Sequence, residues 1–387
     1  MKDTYQHLNA QKLNNRNRSF KERKRSLKLL RSNILKYKKE IADALYQDLG
    51  KAPSETQLTE ILPVLSAINL YLDKGSDWLA AKQIRNSMLF LGSKSSIEYE
   101  AKGLCLIISP WNYPFQLAMY PLLTAFYSGN TIILKPSEYT PAINKVIAKI
   151  LDKTFSEDIF AIVEGDAQVS QKLLAFKFDH IFFTGSTPVG RVVMQEASKF
   201  LTPVTLELGG KSPVVIDNDY PLKKACEKLA WGKLVNAGQT CVAPDYIFVP
   251  KGKGADFAKQ YLKYAKKFYF NSKKQDDYCS IISDKHFSRL EELVNDATQK
   301  GALVEELEIK KETKFSPKVL LQVTKDMNVM QEEIFGPILP IVEYENLDEV
   351  ISYINDDSYP LSLYCFSKNK KFINKLSRNT TSGSFSL

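Results

Sequence analysis

The chain has 387 residues, of which 44% are hydrophobic and 25% are charged, and its formal net charge is +9. This composition excludes collagen-like, disulfide-scaffold and wholly disordered proteins, and the length predicts two domains, with three as the alternative. The positive surplus is mild, and much of it lies between Lys12 and Lys39. That segment is not interleaved with the aromatic residues that base stacking needs, so we expect no nucleic-acid partner.

The first hundred residues predict helices followed by a hairpin. Ser19 and Glu22 have the spacing of a capping box, and apolar residues at helical spacing follow them, so the basic run is interpreted as the solvated face of a helix. A second amphipathic helix is predicted over 55–72. Over residues 88–102 the pattern changes to alternating outward charges around a Gly–Ser pair, which predicts a β-hairpin.

A stretch without charged side chains runs from Gly103 to Leu134. Three prolines and several amides interrupt it, so we interpret it as a buried strand, a loop and a buried helix, and we expect no transmembrane segment. Short apolar runs then alternate with segments at helical spacing up to Leu206, and a second αβ region begins at Pro213. This alternation predicts an α/β fold with a parallel sheet covered by helices on both faces.

The five cysteines are widely spread and contain no CxxC, so we expect reduced thiols and a cytoplasmic location. The three histidines are far apart, so no metal site is expected. Cys241 differs from the other cysteines because it lies in NAGQTCVAPDY, a loop of glycine and small polar residues after a predicted helix. Viewed alone, it is either a buried thiol or a thiol that substrate can reach and that backbone N–H groups activate.

Two further segments contain candidate catalytic residues. In PWNYP, two prolines fix the turn after a strand, so the amide of Asn112 would project at a fixed angle toward a developing oxyanion. The alternative is an asparagine that hydrogen-bonds its own turn. In LELGGKSP, Glu207 lies at the carboxyl end of the sheet, where it could accept a proton from water. The alternative is an ion pair with Lys211.

Candidate cofactor-binding residues follow two neighbouring strands. In FTGSTPVG, Gly185 and Ser186 would present N–H and O–H groups at a helix N-terminus, which suits a pyrophosphate. The segment matches neither GxGxxG nor the Walker A sequence. In LKPSEYTP, Lys135, Ser137 and Glu138 lie at the end of a strand, where a carboxylate can bind both ribose hydroxyls and would repel a 2′-phosphate.

Six segments occur in the order seen in the aldehyde dehydrogenase superfamily: PWNYP, GNTIILKPSE, FTGSTPVG, LELGGKSP, NAGQTCVAPDY and EEIFGP. The chain resembles this family from about residue 20 to its end. Its short N-terminal lead and the APDY after Cys241 resemble most the class 3 branch, which includes fatty and aromatic aldehyde dehydrogenases. The resemblance implies a Rossmann-like NAD(P)-binding domain over 1–206, with an oligomerisation hairpin at 88–102, and an αβ catalytic domain over 207–387.

The resemblance also implies a role for each candidate residue. Cys241 matches the nucleophile, Glu207 the general base and Asn112 the amide that stabilises the oxyanion. Glu333 matches the residue that holds the nicotinamide ribose, and Phe335 matches the residue beside the nicotinamide ring. The predicted cofactor-binding residues are Lys135, Ser137, Glu138, Gly185, Ser186, Glu333 and Phe335.

The reaction that the resemblance implies is oxidation of an aldehyde to a carboxylic acid, with NAD as cofactor and NADP as the alternative, through a thiohemiacetal and a thioester on Cys241. It favours apolar medium- or long-chain or aromatic aldehydes, and a homodimer. Family chains continue beyond TTSGSFSL to a last oligomerisation strand, so this chain is expected to be a fragment or truncated. Three alternatives remain open: a cofactor-free thiol hydrolase, a non-catalytic binding protein, and acyl transfer to coenzyme A.

Overall fold

The computed structural model describes residues 1–271, 277–307, 309, 314–356 and 359–387. These residues form two compact units: unit 1 consists of residues 1–48 and 53–207, and unit 2 consists of residues 49–52 and 208–387. Each unit contains one large β-sheet, and unit 1 also contains a short hairpin. The predicted α/β fold is confirmed, while the functions that the resemblance assigns to the two domains stay predictions.

The N-terminal helices are α1 (Lys2–Ala10), α2 (Lys12–Arg16), α3 (Phe20–Lys36), α4 (Lys38–Leu49), α5 (Pro53–Thr56) and α6 (Leu62–Trp78). Helix α3 begins where the capping box predicts, because Ser19 N–H donates to the Glu22 carboxylate at 2.8 Å and Ser19 Oγ accepts from Glu22 N–H at 3.3 Å. Most basic residues of α3 are exposed, but Arg23 is buried and donates to the backbone carbonyl of Tyr127 at 2.8 Å. The predicted helix over 55–72 is interrupted by a π-helical turn, Gln57–Ile61. Pro63 follows that turn and has no N–H to continue an α-helical hydrogen-bond pattern.

The hairpin consists of the antiparallel strands β1 (Lys82–Ile84) and β2 (Ser95–Ile97). Its first strand therefore precedes the predicted range of 88–102, and Met88–Phe90 forms a 3₁₀ turn within the connection. The amide of Asn86 donates to Ser93 Oγ at 2.8 Å and closes this connection. Strands of three exposed residues carry no alternation of buried and exposed positions, which explains why the sequence pattern misplaced them.

The large sheet of unit 1 has the strand order β5-β4-β3-β6-β7. Its strands are β3 (Leu104–Ile108), β4 (Thr131–Lys135), β5 (Phe160–Ile162), β6 (His180–Gly185) and β7 (Val204–Leu208), and its helices are α7 (Pro114–Tyr127), α8 (Pro141–Asp152), α9 (Ala167–Leu174) and α10 (Thr187–Ser198). Strand β3 pairs in parallel with both β4 and β6. The chain proceeds outward from β3 to β5 and then returns to β6 on the other side of β3. In open parallel sheets, ligands commonly bind at such a reversal, next to the carboxyl ends of the two strands, which here are β3 and β6.

The uncharged stretch from Gly103 to Leu134 forms β3, α7 and β4, as predicted. All residues of both strands are buried, and so are most residues of α7. Within the described parts of the chain, no helix combines the length and the apolar character that crossing a lipid bilayer requires.

The sheet of unit 2 has the strand order β10-β11-β12-β9-β8-β13-β14, and only the β10–β11 pair is antiparallel. The strands are β8 (Pro213–Ile216), β9 (Tyr246–Pro250), β10 (Leu303–Glu306), β11 (Lys318–Leu321), β12 (Ile338–Tyr344), β13 (Ser362–Phe366) and β14 (Ser384–Ser386). The helices are α11 (Leu222–Leu234), α12 (Gly254–Tyr269), α13 (Asp284–Gln299), α14 (Asn328–Gln331), α15 (Leu347–Asn355) and α16 (Lys370–Asn379).

Two hydrophobic clusters cover the two faces of this sheet. Along β9, Tyr246 and Phe248 belong to one cluster, whereas Ile247 and Val249 belong to the other. Successive side chains of a strand point to opposite faces, so a strand that is buried on both faces has no polar positions. The polar candidate residues of unit 2 therefore lie in the loops that connect these strands and helices.

Candidate active site

Asn112 lies in the turn between β3 and α7, and its side chain is buried at 3% exposure. Pro110 and Pro114 flank it, and Pro114 is the first residue of α7. Ser109 N–H donates to the carbonyl of Lys135 at 3.1 Å, which ties the start of the turn to the end of β4. The turn is thus held at both ends, and the amide of Asn112 has a defined position at the carboxyl edge of the sheet.

Lys135 and Glu138 form an ion pair directly after β4, with Lys135 Nζ 3.0 Å from Glu138 Oε2. The lysine is buried, whereas the glutamate side chain is 38% exposed. Ser137 Oγ accepts from Tyr139 N–H at 3.3 Å, and the Ser137 carbonyl accepts from Asn144 Nδ2 at 2.7 Å. Ser137 therefore fixes the turn, while the pair presents a carboxylate to solvent at the strand end.

Gly185 ends β6, and Ser186 precedes the first residue of α10. Ser186 has extended backbone angles but does not cap the helix with its side chain, and Pro188 lies in the first turn without an N–H. A Cβ at Gly185 would lie 2.6 Å from the far end of the Phe183 ring, so a larger residue here would displace that ring. The first amide groups of α10 are available to an anion, because helix N-termini carry unpaired N–H groups and a positive partial charge.

We call Lys135, Ser137, Glu138, Gly185 and Ser186 the strand-end group. All five follow or end β4 and β6, which are not adjacent as the sequence analysis expects but lie on the two sides of β3.

Glu207 is an exposed residue of β7. The alternative that it pairs with Lys211 is wrong, because the Lys211 ammonium is fully engaged elsewhere. Lys211 Nζ donates to Asp245 Oδ2 at 2.9 Å, to the carbonyl of Val329 at 2.9 Å and to the carbonyl of Glu332 at 3.0 Å. An ammonium has three protons, and these three bonds use all of them.

Cys241 is half-buried, whereas the other four cysteines are buried. Burial raises the pKa of the Cys105, Cys226 and Cys365 thiols to about 12, so these three remain protonated thiols at neutral pH. The cysteine that the sequence selected is therefore also the one that the structure leaves accessible, and accessibility is the first requirement for a nucleophilic thiol.

Residues 235–241, the thiol loop, connect the end of α11 to Cys241 through a strained backbone. Asn236 and Ala237 have positive φ values of 54° and 52°, and Gly238 follows at 75°. Left-handed conformations cost roughly 1 to 2 kcal/mol for a residue with a Cβ, so surrounding contacts must hold this backbone. A Cβ at Gly238 would overlap the backbone carbonyl of Gly336, so the loop also approaches another segment as closely as glycine allows.

The contacts that hold the thiol loop come from two amide side chains. Asn236 Nδ2 donates to the carbonyl of Gln239 at 3.0 Å, and Gln239 Nε2 donates back to the carbonyl of Asn236 at 2.9 Å. Gln239 also bonds the carbonyl of Ser280 and the N–H of Ile282. Sequence reasoning missed both residues, although their amide side chains stand beside the cysteine in NAGQTC.

Tyr364 stands beside the same loop. Its hydroxyl donates to the carbonyl of Val242 at 2.6 Å. Burial raises the pKa of Tyr364, and negative charge on Cys241 raises it further. The phenol thus remains protonated and steadies the backbone next to the thiol.

Residues 332–337 form a loop that we call the clamped segment. Lys211 bonds the carbonyl of Glu332, and Asp245 Oδ1 accepts from Ile334 N–H at 3.1 Å. Arg289 donates to the Glu332 carboxylate at 2.7 Å and to the carbonyls of Glu333 and Ile334. Phe335 follows with a positive φ of 51° and is half-buried. The charged side chains of Lys211, Asp245 and Arg289, which are buried or half-buried, thus define the shape of this loop.

Glu333 lies over the double glycine that follows β7. A Cβ at Gly209 would overlap both carboxylate oxygens of Glu333, and Gly210 N–H donates to that carboxylate. Burial raises the pKa of Glu333 to about 7, and the negative charge of Asp245 adds to this effect. The glycine pair therefore makes room for a carboxylate that changes its charge near neutral pH.

Sequence reasoning missed most of the residues that shape the clamped segment. Asp245 and Arg289 were not singled out, and Lys211 was considered only as a partner of Glu207. One signal was present: Asp245 directly precedes the apolar run YIFV, and a charge beside a buried strand indicates a partner.

A family model described as the aldehyde dehydrogenase family matches residues 5–387. The 4,4′-diaponeurosporen-aldehyde dehydrogenase of Staphylococcus aureus is 43% identical over 360 residues, which are 92% of this chain and 78% of that protein. Aldehyde dehydrogenase family 3 member A2 of Macaca fascicularis is 40% identical over 373 residues, which are 96% of this chain and 76% of that protein. A solved structure described as the substrate-bound state of Staphylococcus aureus AldH has a TM-score of 0.94 and 39% identity, covering 99% of this chain and 84% of that chain.

Proposed function

This chain belongs to the aldehyde dehydrogenase family, and from that premise we propose that it oxidises an aldehyde to a carboxylic acid through a thiohemiacetal and a thioester on Cys241. The observation that supports this proposal best is the partial exposure of Cys241 on a strained loop, while the other cysteines are buried. A thiol suits this chemistry because its acyl adduct is readily hydrolysed.

Three residues have proposed catalytic roles. The Cys241 thiolate attacks the carbonyl carbon of the aldehyde, while the Asn112 amide and the Cys241 N–H donate to the oxyanion that forms. NAD(P), which the strand-end group, Glu333 and Phe335 would hold, would supply the hydride acceptor needed to convert the thiohemiacetal on Cys241 into the thioester. Glu207 then removes a proton from water, the water oxygen attacks the thioester carbonyl, and the carboxylic acid leaves as the Cys241 thiolate is released.

The residues that would hold NAD(P) are the strand-end group, Glu333 and Phe335. Two features support the fit: an exposed carboxylate at Glu138 for ribose hydroxyls, and the uncapped N-terminus of α10 after Gly185 and Ser186 for the pyrophosphate. Glu138 favours NAD, because a carboxylate repels the 2′-phosphate of NADP. Lys135 would attract that phosphate, so NADP remains the alternative cofactor.

The proposed substrates are apolar medium- or long-chain or aromatic aldehydes. The name of one relative, 4,4′-diaponeurosporen-aldehyde dehydrogenase, supports an aldehyde as the substrate. The exposed hairpin β1–β2 is the proposed oligomerisation element of a homodimer. It carries four consecutive exposed apolar residues, Met88, Leu89, Phe90 and Leu91, and exposed apolar patches are typical of protein interfaces.

A panel of aldehydes with NAD⁺ and NADP⁺ tests the proposed function. We expect absorbance of the reduced dinucleotide to appear with apolar aldehydes, and the Cys241→Ala variant to form none. Cys226→Ala is the matched control. Cys226 is buried in α11, so its replacement should leave the rate unchanged. Full activity of Cys241→Ala, or turnover without any dinucleotide, would contradict the proposal.

A further inference from the structure

Glu60 is an acidic residue with no exposed surface, and it lies in the π-helical turn Gln57–Ile61 of unit 1. Taking a carboxyl group out of water is costly unless hydrogen bonds compensate for it. An apolar side chain of similar length would fill the same space without that cost, so packing alone does not account for a glutamate here. One compensating bond comes from α7, because the backbone N–H of Gln116 donates to Glu60 Oε2 at 2.9 Å.

The bond to Glu60 caps the N-terminus of α7. The first N–H groups of a helix have no partner within the helix, and the side chain of the N-cap residue commonly accepts from one of them. Tyr113 is the N-cap residue of α7 and makes no such side-chain bond, and Pro114 at the first position has no N–H. The carboxyl group of Glu60 therefore takes the place of an N-cap side chain, on the third residue of the helix.

The π-helical turn brings Glu60 to this position. Such turns insert an extra residue into a helix, which changes the direction of the side chains around it, and they occur frequently at functional sites. The turn Gln57–Ile61 packs against α7, and its last two residues, Glu60 and Ile61, are both buried. One of them fills the apolar interior, while the other reaches the first turn of α7.

The capped end of α7 directly follows the turn that contains Asn112. Helix α7 begins at Pro114, two residues after Asn112. On the other side of the turn, Ser109 N–H donates to the carbonyl of Lys135 at 3.1 Å. Strand β4 thus fixes the turn where it leaves the sheet, and Glu60 fixes it where it enters the helix.

We propose that Glu60 is a positioning residue for the oxyanion site: its carboxyl group holds the first turn of α7, and with it the Asn112 amide, in the place where the oxyanion forms. This inference rests on the proposed function. Because Glu60 acts through Asn112, its contribution to the rate should disappear when the amide is absent.

A double-mutant cycle measures this dependence. Glu60→Leu should lower kcat about tenfold, which is less than the loss of about a hundredfold expected for Asn112→Ala, because the amide is displaced and not removed. In the Asn112→Ala background, Glu60→Leu should change kcat by less than about twofold. Equal losses in both backgrounds, or no loss in the parent chain, would overturn the inference.

Asp48→Leu is the matched control for a general loss of stability. Asp48 is a half-buried acid of α4 that accepts from Ala142 N–H at 3.1 Å and from Ile143 N–H at 2.8 Å. It thus caps α8, another helix that begins with a proline and has no side-chain cap of its own. This variant should lower the melting temperature and leave kcat unchanged. A loss of kcat as large as that of Glu60→Leu would show that stability, and not position, is responsible.

Two conservative variants test the hydrogen bond itself. Glu60→Gln keeps an oxygen that can accept from Gln116 N–H, so its kcat should be closer to that of the parent chain than to that of Glu60→Leu. A kcat as low as that of Glu60→Leu would contradict a role through this bond. Glu60→Asp shortens the side chain by one methylene and serves in the same cycle if Glu60→Leu does not fold. Its loss of kcat should likewise be confined to the chain that retains Asn112.

Hydrogen–deuterium exchange tests the positioning without any catalytic activity. The bond to Glu60 protects the amide hydrogen of Gln116, so the peptide at the start of α7 should exchange several times faster in Glu60→Leu or Glu60→Asp than in the parent chain. Asp48→Leu should leave this peptide unchanged. Equal exchange in the parent chain and in the Glu60 variants would overturn the inference. If the parent chain reduces neither NAD⁺ nor NADP⁺ with any aldehyde, the proposed function fails, whereas the exchange still decides whether Glu60 holds the turn.

Discussion

The strand-end group of unit 1 and the clamped segment of unit 2 are held in place by different means. The strand-end group follows regular parallel strands, and its side chains bond neighbours a few residues away, such as Lys135 with Glu138. The clamped segment has no regular structure, and its shape depends on charges that come from distant positions, such as Lys211 and Arg289. Backbone hydrogen bonds of the sheet suffice to position the strand-end group, whereas the clamped segment needs a buried network of charged side chains.

This difference predicts where single substitutions should act. Changes at a strand end should be local and should alter the affinity for one ligand. Changes in the buried network should alter several properties together, because its charges share partners.

Apart from replacement of Cys241 itself, the largest effect on turnover is expected for Asn112→Ala, at the fixed turn of unit 1. Loss of one oxyanion donor costs about 3 kcal/mol, so kcat should fall about a hundredfold while the KM for aldehyde changes little. Asn14→Ala, which removes an exposed amide, is the control. A change in KM alone would show that Asn112 binds substrate and does not stabilise the oxyanion.

Lys233→Met should stabilise the chain, because it removes a completely buried ammonium that has no hydrogen-bond partner among the described residues. The pKa of Lys233 falls from 10.5 in the unfolded chain to about 8 in the folded one. The folded state therefore binds this proton more weakly than the unfolded state does. The resulting loss of folding stability is fully present below about pH 8 and vanishes above pH 10.5.

Urea unfolding at several pH values measures this effect. At pH 7 the free energy of unfolding should rise by roughly 3 kcal/mol relative to the parent chain, and the gain should shrink as the pH approaches the pKa of an unfolded lysine. A loss of stability at pH 7 would show that the ammonium has favourable contacts, which contradicts its description as an unpaired charge.

Gly209→Ala tests the clamped segment directly. The added Cβ overlaps the Glu333 carboxylate, so that carboxylate must move, and misplacement of about 1 Å in an active site lowers kcat/KM by roughly tenfold to a hundredfold. Gly232→Ala is the matched control variant, because a Cβ at Gly232 meets no atom within 4 Å. Equal kinetics of the two variants would mean that the position of Glu333 does not matter for the reaction.

The smallest effect is expected for Glu138→Gln in the strand-end group. The KM for NAD⁺ should rise by a factor of about three to ten, from loss of charge-assisted hydrogen bonds to ribose, and discrimination against NADP⁺ should fall. The kcat of this variant should equal that of the parent chain. Steady-state kinetics with NAD⁺ and with NADP⁺ measures both constants. A large drop in kcat would contradict the expectation that a change in the strand-end group alters only the affinity for one ligand.

The same difference explains what the sequence could predict. The strands β3 and β4, the helix α7 and the capping box of α3 depend on neighbouring residues, and so do the residues that follow these strands. The bonds of the clamped segment join residues far apart in the sequence, such as Lys211 with Asp245 and Arg289 with Glu332. No local pattern encodes such pairs, and the one visible signal was charge placed next to apolar runs.

The role of Cys241 as the nucleophile is tested most directly by trapping its acyl form. Glu207→Gln should slow hydrolysis of the thioester, so rapid mixing with aldehyde and NAD⁺ should give a burst of about one NADH per active site. Mass spectrometry of the acid-quenched, digested chain should then find the acyl group on the peptide that contains Cys241. NADH formation with no adduct on that peptide, or with the acyl group on a different cysteine, would contradict the account.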